Sequence, residues 1–239
     1  MAGVIPGHLF WQKGAMEHPI LMTIRNQGFM PLGWFAPTPA DDVPDIKPGE
    51  PAKFVMLLGN AGPDMFRRFA RERDPDRQSL DDWTRHTLEP VAENLGARAL
   101  FPFGGPPWLP ILSWARRGGA GHVSPLGLNI HPSFGLWHAY RAAFLFPVAF
   151  DLPPPKSISP CDTCQTKPCL TACPVGAFSG EAYDRHACAS HLRAAEGAPC
   201  YTGGCLARHA CPVGQGFAYA PAQAHFHMRA FRTARDQEN

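Results

Sequence analysis

The sequence predicts an α+β protein in two parts, a mixed helix-and-strand domain over residues 1–152 and a small cysteine-rich module over residues 153–239. Three observations predict it. Residues 21–152 alternate between strand-like and helix-like hydrophobic patterns and contain no cysteine. All eight cysteines lie between Cys161 and Cys211. Pro153, Pro154 and Pro155 make a stiff, extended link between the two regions. A chain of 239 residues, 45% hydrophobic and 18% charged, has room for a core domain with an appended module.

Within the first region, Phe54-Val55-Met56-Leu57-Leu58 is a continuous apolar run that predicts a buried strand ending at Gly59. Residues 64–73 predict a helix. Ser79 and Asp82 stand at capping-box spacing and open a longer helix with the apolar stripe Leu80, Trp83, Leu88, Val91 and Leu95. Gly96 stops that helix, and Pro90 is expected to kink it. Residues 97–101 predict a second strand, and residues 109–115 a short helix ended by Gly118 and Gly119. Residues 126–130, the turn His131-Pro132-Ser133-Phe134-Gly135 and residues 137–146 together predict a hairpin. The only repetition is a Cys-Pro-Val-Gly echo at Cys173 and Cys211.

The formal charge of +2 predicts no polyanion partner, which argues against nucleic acid. Met1 to Pro19 shows no basic start followed by an apolar run, and no stretch approaches the ~18 apolar residues of a membrane span. A cytoplasmic, reducing setting without a membrane partner is expected. The loop Phe103-Gly104-Gly105-Pro106-Pro107 is a poor phosphate cradle, because its prolines lack amide donors. No Walker, dinucleotide or nucleophile-elbow motif occurs, so nucleotide-dependent and hydrolase chemistry have no support.

The cysteines carry the strongest signal. They run Cys161-x2-Cys164-x4-Cys169-x3-Cys173-Pro174, then Cys188, Cys200, Cys205 and Cys211-Pro212. Eight soft thiolates suffice for two 4Fe-4S clusters, and in two-cluster ferredoxin modules the cysteine before proline serves the other cluster. Two alternatives stay open on the residues alone. Disulfides would need an oxidising compartment, and cysteines confined to about a fifth of a chain this long do not look like the staples of a small secreted domain. Zinc would find no second Cys-x2-Cys or His pair at finger spacing and would leave the Cys-Pro endings unexplained. Among the histidines, His131 is expected to shape its turn, and His225-x-His227 to lie in a solvated tail. Trp108, Trp114 and Trp137 suit either a flat cofactor pocket or ordinary core packing.

The segment from Gly127 to Trp137, with Arg141-Ala142-Ala143-Phe144-Leu145-Phe146-Pro147, resembles CblC-type cobalamin-processing proteins and, more loosely, epoxyqueuosine reductases. Phe54 to Phe66 and the exit Asp151 to Lys156 are similar to the same family, so the likeness spans about residues 30–156. The cysteine region resembles the two-cluster, ferredoxin-like module of epoxyqueuosine reductases and corrinoid reductive dehalogenases. Residues 185–192 look like that module's lone-cysteine helix.

This resemblance implies a nitroreductase-like core sheet flanked by helices, followed by the ferredoxin-like module. It implies one cluster on Cys161, Cys164, Cys169 and Cys211, and the other on Cys173, Cys188, Cys200 and Cys205. The spacings Cys164-x4-Cys169 and Cys200-x4-Cys205-x5-Cys211 are longer than the family's. For the core it implies bound cobalamin or, more distantly, a flavin. His122 and Trp137 would then adjoin the corrinoid, a merely solvated or capping loop histidine being the other reading of His122; Arg141 would serve a thiol co-substrate such as glutathione, a strand arginine that merely pairs with a carboxylate being the other reading of Arg141. The implied function is a cobalamin-binding iron-sulfur oxidoreductase that reduces or removes the upper ligand of a corrinoid, fed by an electron donor protein. The alternatives are a ferredoxin-like electron-transfer protein without its own substrate and an epoxyqueuosine-reductase-like enzyme acting on transfer RNA.

Overall fold

The computed structural model describes residues 18–74, 76, 78–153, 155, 157–180 and 182–237. In chain order the regular elements begin with α1 (Pro19–Asn26), β1 (Met30–Phe35), β2 (Phe54–Ala61), α2 (Asp64–Glu72), α3 (Leu80–Asn94), β3 (Arg98–Leu100) and α4 (Ile111–Arg117). They continue with β4 (His122–Val123), β5 (Asn129–Ile130) and β6 (His138–Phe146). The remainder is helical: α5 (Pro168–Thr171), α6 (Arg185–Arg193), α7 (Ala198–Gly203), α8 (Leu206–His209) and α9 (Pro221–Asp236). The fold is therefore a mixed α and β one. The chain forms two compact units: the first runs through Gly121 and resumes at 139–157, and the second comprises 122–138 and the chain from Ile158 onward.

The first unit is built on a four-stranded sheet of order β1-β2-β6-β3, with β1–β2 and β3–β6 antiparallel. β2 is buried from Phe54 through Asn60, as a strand covered on both faces should be. Its alternate residues Val55 and Leu57 join Phe35, Ala143 and Leu145 beneath Ile111, Trp114 and Ala115 of α4. Elsewhere in the unit Trp83 of α3 stacks on Phe29 and meets Phe69 of α2 edge-on, with ring centroids 5.7 and 5.6 Å away. The capping box of α3 is present: Ser79 Oγ accepts from Asp82 N at 3.1 Å, and the Asp82 carboxylate accepts from Ser79 N. The helix runs on through Pro90 to Asn94.

Two expectations for strands need correction. β2 does not end at Gly59 but continues to Ala61. Gly59 serves a close approach instead of a stop, since a Cβ there would lie 1.9 Å from the Ala139 carbonyl oxygen. Nor do residues 126–130 and 137–146 form a hairpin. β5 pairs with β4 through His122–Ile130 and Val123–Asn129, while β6 enters the four-stranded sheet. The turn between them closes on itself, with reciprocal backbone bonds of 2.9 and 2.8 Å between His131 and Gly135.

In the second unit Leu126, Ile130 and Leu136 pack with Cys169, Cys211, Ala177, Phe178 and Ala207. Two glycines with positive φ meet here. A Cβ on Gly135 (φ 57°) would lie 1.9 Å from Val213 O, and one on Gly214 (φ 73°) 2.3 Å from Phe134 O. The 131–135 turn is thus seated directly on the backbone that follows Cys211. The C-terminal segment, expected as a solvated tail, is helix α9; Pro221 opens it, Gln223 and Ala224 are buried, and His225 Nδ1 donates to Tyr201 O at 3.1 Å. No helix among the described residues is long and apolar enough to cross a membrane.

Candidate metal centre

All eight cysteines are free thiols, and local structure positions each of them. Cys161 and Cys164 lie in the turn before α5, Cys169 lies within α5, and Cys173 follows it. Cys188 is midway along α6, capped by Asp184, whose carboxylate accepts from Ala187 N at 2.9 Å. Cys200 is in α7, Cys205 caps α8, and Cys211 follows α8.

Electrostatic neighbours divide the thiols. Cys161 feels Cys211, Cys169 and Cys164; Cys169 feels Cys211 and Cys164; Cys211 feels Cys164. Separately, Cys188 feels Cys173 and Cys200, Cys205 feels Cys188 and Cys200, and Cys200 feels Cys173. For Cys161, Cys169, Cys188, Cys200, Cys205 and Cys211 burial is the main cause that pushes the thiol pKa up, and the neighbouring thiols add to it. Deprotonating such a group needs compensating positive charge, which a metal centre supplies. Hydrogen-bond donors already point at sulfur: Ala177 N donates to Cys173 Sγ at 3.3 Å, and backbone amides address Cys200, Cys205 and Cys211. Among the described residues no three His, Cys, Asp or Glu side chains converge as ligands of one metal ion. The thiolates of a cubane stand farther apart than that, because irons and sulfides lie between them.

The other expected site residues belong to different units of the chain. His122 is on β4 and Trp137 precedes β6, both in the second unit, whereas Arg141 is on β6 in the first. His122 is half-buried; burial lowers its pKa, and Asp162 opposes that shift. Trp137 is buried against His209 and Tyr219, with ring centroids at 4.7 and 5.5 Å. The Arg208 guanidinium lies over both Trp137 and Tyr219 while its Nε donates to Leu136 O at 2.7 Å. Trp114 is core and donates to Asp41 O at 2.7 Å, whereas Trp108 is 69% exposed. Trp108 and Trp114 belong to the first unit and Trp137 to the second. His131 shapes its turn, accepting at Nδ1 from Ser133 N and Phe134 N at 3.0 and 3.3 Å.

Arg141 donates to Asp81 Oδ1 at 2.5 Å and to Thr84 Oγ1 at 3.2 Å, and its guanidinium stands 5.1 Å from the Phe103 ring centroid. Its Nε is buried without a partner. Sequence reasoning missed Asp81, which stands out only as an acidic residue in the first turn of α3. It also missed Arg208, which stands in no recognisable motif.

The fold is similar to that of a solved protein of low sequence identity. In particular, the epoxyqueuosine reductase of Streptococcus thermophilus matches over 86% of this chain and 69% of its own, at 16% identity and a TM-score of 0.55. A C. elegans B12-trafficking protein, CblC, a homologue of human MMACHC, aligns with 89% of this chain and 94% of its own at 15% identity and a TM-score of 0.49. An epoxyqueuosine reductase solved with an epoxyqueuosine-modified tRNA-Tyr stem loop aligns with 84% of this chain and 66% of its own at 18% identity and a TM-score of 0.45. No protein-family model matches the chain, and no curated protein does.

Proposed function

We propose that this chain is an iron-sulfur oxidoreductase that binds a corrinoid and reduces or removes its upper ligand. The observation that carries the proposal is the division of eight free thiols into two groups of four within one compact unit. Cys161, Cys164, Cys169 and Cys211 would hold one 4Fe-4S cluster of a ferredoxin-like module, and Cys173, Cys188, Cys200 and Cys205 the other. The donor set fits: soft thiolates, amide donors aimed at sulfur, and a raised cost of thiolate charge that a cluster would offset. When bound, such clusters supply one-electron reducing equivalents at low potential.

The corrinoid half rests on the likeness of residues 54–66 and 127–147 to CblC-type proteins and on the shared fold of an epoxyqueuosine reductase. In this reading the first unit is a nitroreductase-like core, and an electron donor protein reduces the clusters. His122 and Trp137 would adjoin the corrinoid. Arg141 would hold the carboxylate of a thiol such as glutathione, which would have to compete with Asp81 for the guanidinium. That competition favours a second reading, an electron carrier without its own substrate, because Arg141 already has its carboxylate.

An anaerobic visible-absorption titration of cluster-reconstituted protein with hydroxocobalamin and methylcobalamin tests the choice. A saturable shift of the corrinoid bands is expected. A flat spectrum, with iron and sulfide at two-cluster levels, overturns corrinoid binding and leaves the electron carrier.

A further inference from the structure

Arg208 has no part in the ligand set, yet it stands midway between two members of it, three residues after Cys205 and three before Cys211. Arg208, Leu136, Trp137 and Tyr219 all belong to the second unit. Arg208 Nε donates to Leu136 O at 2.7 Å, and Nη2 donates to the same oxygen. The guanidinium carbon lies 4.7 Å from the Trp137 ring centroid and 4.5 Å from that of Tyr219, and both rings are buried. A planar fork set against two fixed aromatic faces has few orientations left, so both donors stay aimed at one carbonyl.

The main chain of Arg208 leads directly to Cys211, whose N donates to Arg208 O at 3.3 Å as α8 ends. Beyond Cys211 the chain meets the same turn again. A Cβ on Gly135 would lie 1.9 Å from Val213 O, and one on Gly214 2.3 Å from Phe134 O. Residues 134–136 therefore hold the backbone on both sides of Cys211, through Arg208 before it and through Val213 and Gly214 after it. Cys205, at the other end of α8, is held differently, by the helix and its own flank: His209 N donates to Cys205 O, Ala210 N to Leu206 O and His209 Nε2 to Gly203 O, each at 3.0 Å.

We infer that Arg208 is a positioning residue for Cys211: its side chain anchors the approach to that cysteine on Leu136 O, and so sets the sulfur for a metal centre shared with Cys161, Cys164 and Cys169. The inference rests on the two-cluster reading. In that reading Cys161, Cys164 and Cys169 come from one short stretch of chain, whereas Cys211 arrives from the far end of the module and depends on tertiary anchors for its place. Groups that orient a ligand without touching the metal typically change metal affinity by ~10–100-fold. Gln215 Nε2 also donates to Cys211 O, so the loss of Arg208 alone belongs at the lower end of that range.

The test is the rate at which reconstituted protein loses iron to a chelator, with circular dichroism to show folding, for Arg208→Met and Arg208→Lys, each placed in Cys188→Ser and in Cys161→Ser. In the two-cluster reading Cys188→Ser retains only the centre that Cys211 completes, and Cys161→Ser only the other. Arg208→Met keeps an apolar stem beside the rings and removes both donors, whereas Arg208→Lys keeps a cation and a donor. In Cys188→Ser, Arg208→Met is expected to lose iron about tenfold faster and Arg208→Lys to be accelerated less. In Cys161→Ser neither changes the rate. Rates that do not rise in Cys188→Ser, or that rise equally in both backgrounds, overturn the inference alone, the second outcome making Arg208 a support of the whole unit. If Arg208→Met does not fold, Arg208→Lys decides by the same comparison. A wild type that takes up no iron, or a Cys188→Ser protein that retains none, overturns the two-cluster reading and this inference with it.

Discussion

Cysteine-to-serine replacements in pairs test the division of the thiols most directly. Cys188 has Cys173, Cys200 and Cys205 around it, and Cys161 has Cys164, Cys169 and Cys211. Two cubanes hold ~8 irons per chain, and oxygen is a harder, poorer iron ligand than sulfur, so Cys188→Ser is expected to leave ~4. Cys188→Ser with Cys200→Ser breaks the same centre twice, so iron should again be ~4. Cys188→Ser with Cys161→Ser breaks one of each, so iron should fall toward zero. The measurements are iron and acid-labile sulfide per chain after anaerobic reconstitution, with circular dichroism to show that each variant folds. Equal iron in the two double variants would refute the division. A single variant that keeps all its iron would show that Cys188 is no ligand.

Three further outcomes follow from the geometry. Gly135→Val forces a Cβ to within 1.9 Å of Val213 O at a positive φ, so it should cost at least ~1–3 kcal/mol and displace Cys211; the cluster signal assigned to Cys161 should be lost in preference to that lost in Cys188→Ser. His138 is buried neutral, its Nδ1 donating to Gly135 O at 3.0 Å and burial holding its pKa down at about 4 against an ordinary 6.5. Its folded pKa is depressed, so the unfolded chain binds the proton first; stability is full above pH ~6.5 and falls as pH drops toward ~4, by ~2 kcal/mol at pH ~5. Urea midpoints of reduced, cluster-free protein at pH 7 and 5 check this, and an equal loss in His138→Asn would contradict it. The Arg141–Asp81 pair is half-exposed on the carboxylate side, 48% against 14%, so a double-mutant cycle with Asp81→Asn and Arg141→Ala should return only ~1 kcal/mol of coupling; thiol-dependent turnover should fall in Arg141→Ala while corrinoid binding persists, and equal loss of both would assign Arg141 to folding alone.

Elements whose signals are local were legible. The apolar run at 54–58 is a buried strand because nothing polar interrupts it, and Ser79 with Asp82 marks α3 because a capping box needs only four adjacent residues. What failed depends on partners distant in the chain. Gly59 has the look of a stop, yet its missing Cβ accommodates the Ala139 carbonyl, 80 residues away. Residues 126–130 precede β6 in sequence but pair back to β4, because the His131–Gly135 turn closes before a hairpin can extend. Residues 221–236 hid a helix behind four charged side chains near its end, and Gln223 and Ala224, which it buries, carry no strong apolar signature. At the site, the cysteines declare themselves by spacing, but Asp81 gains meaning only when α3 meets β6.

The two units differ in what holds them together, and that difference bears on function. The first unit's core is Phe, Leu, Ile, Val and Trp around a sheet, with no cysteine in it. In the second, Cys169 and Cys211 are themselves buried core members, and Cys161, Cys173, Cys188 and Cys205 pack against them beside Leu126, Ile130 and Leu136. The longest of α5 to α8 has nine residues, too few for a helix to persist on propensity alone. The thiols thus occupy the place where a larger domain would put aliphatic side chains, and in the two-cluster reading a metal centre would add the cohesion that burial does not. The seating of Gly135 against Val213 brings the 131–135 turn onto the backbone that follows Cys211. In the two-cluster reading, ligand geometry and folding in the second unit would be the same problem, whereas the sheet of the first unit has a core independent of the cysteines.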